Sequence, residues 1–88
     1  MANKRTIKRE VNNVLGDLIT KVYSWENRNP GADRKNSEAI IDAAIVTFDD
    51  LIERINQSEI EKPKEHFKMI QKELAQKSLD LSEKIASL

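Results

Sequence analysis

A chain of 88 residues can build one hydrophobic core but not two, and one this short buries only about 60–65% of its unfolded surface, so its stability alone should be modest. Fifteen Lys and Arg offset fifteen Asp and Glu, leaving no overall field to steer the chain onto nucleic acid or a membrane. The lack of cysteine excludes disulfides, thiolate catalysis and Cys-based zinc sites.

Charged residues make up 34% of the chain and aromatics 5%, with two glycines and two prolines, a profile of helices with little punctuation for strands. The spacing predicts a first helix over 4–26. Ile7, Val11, Val14, Leu18, Val22 and Trp25 form one stripe with Leu15 on its flank, and Asn3 is placed to cap it. The helix should stop near Glu26, because "NRNPGADRKN" follows. Asn29 before Pro30 is steered away from the α region, and Gly31 suggests the positive φ of a type II turn.

A second helix is expected over 38–57, with Ser37 as its cap and Glu38 favoured by the dipole of its first turn. Its buried face reads Ile41, Ile45, Phe48, Ile52 and Ile55, widened by Ile40, Ala44 and Leu51. "NQSEIEKPK" closes it. Pro63 suits the first turn of a third helix over 63–87, where its missing N–H costs nothing. Phe67, Ile70, Leu74, Leu81, Ile85 and Leu88 then share a face, interrupted at Ser78.

These segments assemble most simply into one all-α domain over 1–88, an up-down-up antiparallel three-helix bundle. The apolar faces are wider than the two-position seam of a coiled-coil hairpin. There is no internal repeat. "TIKREVNNVL" is too interrupted for a signal-peptide core, and the longest uncharged run, "AAIVTF" at 43–48, is too short to span a bilayer. A cytoplasmic protein without a membrane partner is the expectation.

Little in the chain points to catalysis. His66, the single histidine, falls beside the third helix's apolar stripe without an obvious nucleophile nearby, and reads as a partly covered structural residue. In "DDLIE", Asp49 and Glu53 supply only two carboxylates at helical spacing, short of a di-iron set. Calcium loops and glycine-rich phosphate loops are missing. The expectation is a non-enzymatic protein with no catalytic residue, no metal and no cofactor.

The opening "MANKRTIKRE" places Lys4, Arg5, Lys8 and Arg9 at the positive end of a helix dipole. One reading pairs Lys4 and Lys8 with Asp49 and Glu53, acids on the unfavourable end of the second helix, in a group with Asp42 and Asp50. The other leaves Arg5 and Arg9 free to bind an anion, making the chain an accessory nucleic-acid or phosphate binder. Zero net charge and the lack of a stacking platform weigh against nucleic acid.

Gly16 falls in mid-helix opposite the core stripe, where glycine costs about 1 kcal/mol relative to alanine. Ile19 and Tyr23 lie on a neighbouring strip, and Val46 and Leu79 are also off their helices' buried faces. Scattered surface apolars are normal. Together with Gly16, however, these residues mark a candidate contact surface for self-association or another protein. A helical interaction or oligomerisation module is therefore the leading functional expectation.

The stretches "MANKRTIKREVNNVLGDLI" and "KPKEHFKMIQKEL" together resemble a group of short uncharacterised helical proteins from Bacteroidetes bacteria. That group shares a basic start and a pair of ring side chains flanked by lysines at the third helix, here His66 and Phe67 between Lys64 and Lys68. The resemblance covers nearly the whole chain, but "SWENRNPGADRKNSEAI" departs from the group's pattern. It implies a compact helical cytoplasmic protein and carries over no active site.

Overall fold

The computed structural model describes residues 3–57 and 61–88. Met1 and Ala2 of the basic opening, and residues 58–60 of the second connection, lie outside the described residues. Three helices occupy most of the chain: α1 (Lys4–Arg28), α2 (Lys35–Ile55) and α3 (Pro63–Ala86). Each packs against both others, in a rod of about 50 × 18 × 17 Å. The fold is an all-α three-helix bundle.

Side-chain contacts set the directions. Glu26 meets Ser37, while Leu15 and Ile19 share a groove with Phe48 and Ile45, so α1 and α2 run antiparallel. Glu10 meets Gln71, and Val14, Leu18 and Lys21 face Ser78 and Ser82, so α1 and α3 run in the same direction. The topology is up-down-up.

Asn3 caps α1 as its side chain suggests: Oδ1 accepts from the Thr6 N–H at 2.9 Å. Replacing Asn3 with alanine should cost about 1 kcal/mol, measurable as a lower urea midpoint with an unchanged slope. The helix ends at Arg28 rather than near Glu26. The Asn29 backbone N–H closes onto Glu26 and Trp25, and its side-chain amide donates to the Trp25 carbonyl at 2.9 Å. Only then does Pro30 forbid another turn.

Pro30 and Gly31 form a reverse turn in which the Ala32 N–H bonds the Asn29 carbonyl at 3.0 Å. Gly31 does not adopt a positive φ, so the expected type II turn does not form and the backbone there does not require glycine. α2 begins at Lys35, three residues before the expected start. Asp33 Oδ1 accepts from the Lys35 N–H at 2.9 Å, and Ser37 is not the cap. Its hydroxyl bonds Glu26 Oε2 at 2.6 Å and the Arg34 carbonyl at 3.0 Å.

α2 ends at Ile55, two residues short of the expected end. The His66 ring helps to close it, with Nε2 2.8 Å from the Arg54 carbonyl. That carbonyl lies in the last turn, where helix acceptors lack helical partners, so a ring N–H donor satisfies it. α3 opens on Pro63 and ends at Ala86, one residue short of the expected 87, with the Ser87 hydroxyl donating to the Glu83 carbonyl.

The core consists of Ile7, Val11, Leu15, Leu18 and Val22 from α1, Ile40, Ile41, Ala44, Leu51 and Ile55 from α2, and Phe67, Ile70, Leu74 and Leu81 from α3. Leu15, expected on the flank, lies at the centre, and Val14 is only partly buried. Ile45, expected in the core, is 46% exposed. The buried arc of α2 is centred on Ile40 and Ala44, which leaves Ile45 at its edge on the α1/α2 groove.

Candidate functional site

The residues singled out on α1 gather around a shallow groove between α1 and α2. Leu15 and Phe48 form part of its floor, and Asn12, Gly16, Ile19 and Ile45 complete its lining around about 210 Å³. Gly16 sits at the rim of this groove, not opposite the core. Ile19 is half-buried against the core edge, while Tyr23, 51% exposed, continues the same strip one turn further along α1. Leu79 is not part of the groove, whose lining comes from α1 and α2 alone; it stands 54% exposed on the outer face of α3.

The helical spacing explains the strip. Arg5, Arg9, Asn12, Gly16, Ile19 and Tyr23 recur every three or four residues, a second stripe beside the core stripe. On α2, Glu38, Asp42, Ile45, Asp49 and Glu53 do the same. The groove brings the two stripes side by side, the first basic at its start and the second acidic along its length.

Nothing lies within 4 Å of the position a Gly16 Cβ would occupy. The glycine therefore has no packing role within the chain, although its carbonyl accepts from the Thr20 hydroxyl at 2.9 Å. Gly16→Ala should raise unfolding free energy by about 0.5–1 kcal/mol through helix propensity, checked by thermal unfolding of dilute protein.

The expected pairing of Lys4 and Lys8 with Asp49 and Glu53 does not form. Among the described residues, no carboxylate lies within 4 Å of either lysine. Register is one cause, since the Glu26–Ser37 contact sets Lys8 level with Ile55 and leaves Asp49 more than a turn away. Arg5 and Arg9 are exposed and take part in none of the ion pairs among the described residues. Asn3 already satisfies one first-turn N–H that an anion would use.

Besides the His66–Arg54 and Glu10–Gln71 contacts, two polar contacts that the sequence did not announce join the helices. Arg54 bonds Glu73 of α3 and lies 3.7 Å from Asp50 on its own helix. The Glu73 hydrogen bond, aided by the charges of Glu73 and Asp50, holds the Arg54 guanidinium above its ordinary pKa against a smaller effect of burial. The second contact is the buried Glu26–Ser37 pair. Glu26 follows Val22 by four residues and so continues the α1 stripe, which is the signal that could have exposed it.

Two larger hollows are polar at their rims. One of about 580 Å³ lies between the start of α2 and the end of α3, over Ile40 and Leu88, with Asn36, Asp80, Glu83 and Lys84 around it. The other, of about 470 Å³, opens between α1 and α3 at Ser78 and Ser82, where the α3 stripe is interrupted. Among the described residues no three His, Asp or Glu side chains converge in a metal-binding group, and no helix is long and apolar enough to cross a membrane. No family model, curated protein or solved structure matches the chain.

Proposed function

We propose that this chain is a non-enzymatic helical interaction module whose contact surface is the α1/α2 groove and the strips beside it. The observation that carries the reading is an apolar groove with a glycine on its rim. Gly16 leaves open space beside Ile19 and Ile45, where a second helix can approach closely. Elsewhere on this helix surface a glycine is a cost in propensity with no return.

The surface is tested by placing a photo-crosslinking side chain at Ile45 in the chain's native cells, with Leu79 as the control position. A specific adduct from Ile45 of any protein, itself included, supports the reading. Equal or absent labelling from both positions contradicts it. Gly16→Ala should reduce the Ile45 adduct while the fold becomes more stable, a combination that a surface without a partner does not produce.

A further inference from the structure

We propose that the occupant of this face is a second copy of the chain, docked in parallel about a two-fold axis along the bundle. The proposal rests on reading the α1/α2 face as a contact surface and adds the identity and direction of what covers it. The face is self-complementary in charge at one end, where the start of the α1 strip and the end of the α2 strip lie level. Its α1 strip begins with Arg5 and Arg9, with Lys8 beside them at the core edge, and its α2 strip carries Glu38, Asp42, Asp49 and Glu53 around Ile45. None of these seven charges takes part in an ion pair among the described residues.

A two-fold axis along the rod lays α1 of each copy over α2 of the other, and every residue meets its own level. The register that sets Glu26 beside Ser37 and Ile19 near Ile45 sets Arg9 level with Arg54, next to Glu53. Arg9 of one copy then faces Glu53 of the second, and Ile19 faces Ile45. Gly16 lies level with Thr47, between Ile45 and Asp49 of the second copy's α2 strip. The basic start of α1, unfavourable beside its own helix dipole, thereby gains at Arg9 the carboxylate of Glu53, with which Arg9 makes no ion pair in its own chain.

The other simple two-fold arrangement runs the copies antiparallel, with α1 on α1 and α2 on α2. It would bring Asp42 of one copy toward Glu53 of the second, acid against acid along the whole α2 strip. Like charges across an interface select against that arrangement. Size is also adequate: one face of the 50 × 18 Å rod is comparable to the roughly 800 Å² per partner of a standard interface.

The test is a charge exchange followed by sedimentation equilibrium at low salt. Wild-type chain should dimerise. The variant Arg5→Glu/Arg9→Glu and the variant Asp49→Lys/Glu53→Lys should each dimerise roughly tenfold or more weakly, and their mixture should recover association as a heterodimer. Both exchanges place charges favourably on their helix dipoles, so circular dichroism melts should show folded proteins throughout. A wild-type monomer at millimolar concentration, or a mixture no tighter than its components, would overturn the proposal. If that monomer still gives an Ile45 adduct with another protein in cells, the second copy is wrong and the contact surface stands. If it gives none, both fail.

Discussion

Ile70→Ala is expected to lower the unfolding free energy by about 2–5 kcal/mol, among the large single-residue effects in this chain. Ile70 is fully buried in the core shared by all three helices. A chain of this size has about 4–13 kcal/mol of stability in total, so the substitution removes a large part of it. The melting temperature should fall by roughly 10 °C or more. Ile45→Ala, by contrast, should cost under about 1 kcal/mol in dilute protein, because Ile45 is half-exposed. Urea unfolding of the two variants checks both the core and the edge position of Ile45. Equal losses would contradict the packing.

Ser37→Ala is expected to cost about 1–3 kcal/mol, more than its small volume suggests. Ser37 is fully buried and Glu26 is only 8% exposed, so the alanine leaves a covered carboxyl without its 2.6 Å partner. The loss arises from the group left behind. Glu26→Gln keeps the shape and an amide oxygen able to accept from the hydroxyl, and should cost less. Removing both polar groups, as Glu26→Leu with Ser37→Ala, should restore much of the stability, because no buried polar atom is then unpaired. A double-mutant cycle in urea reads the coupling directly. Additive losses would show that the contact holds the α1–α2 turn no more tightly than the backbone does.

The helices and their direction were legible because apolar spacing is a strong signal over segments of twenty residues or more. Asn3 and Pro63 marked two starts correctly, since a cap and a first-turn proline act through local geometry alone. Ser37 misled for the same reason it matters. A serine near a helix start normally caps it, but here the buried carboxyl of Glu26 competes for the hydroxyl, and Asp33 is left to satisfy the first turn. Gly31 misled because an Asn-Pro-Gly sequence permits a type II turn without requiring one.

The candidate site was half legible. Gly16, Ile19 and Tyr23 share a strip because they share a helix, and period alone groups them. Leu79 was grouped with them by chemistry, and only the topology separates its face from theirs. Ile45 was hidden because α2 carries more apolar residues than its buried arc can hold, and single-helix periodicity does not say which one is left outside. Pairing Lys4 and Lys8 with Asp49 and Glu53 failed because the register between two helices is not encoded in either one alone.

The central claim, that α1 of one copy lies over α2 of another, is tested most directly with single cysteines, which the natural chain lacks. Asn12 and Asp49 are both exposed, lie on the two strips and stand at similar levels along the rod. Chains carrying Asn12→Cys and chains carrying Asp49→Cys are mixed, oxidised under mild conditions and resolved by mass spectrometry. The parallel two-fold arrangement predicts a 12–49 disulfide between different chains as the dominant product. Dominance of 12–12 and 49–49 products, or no excess over denatured controls, would contradict it.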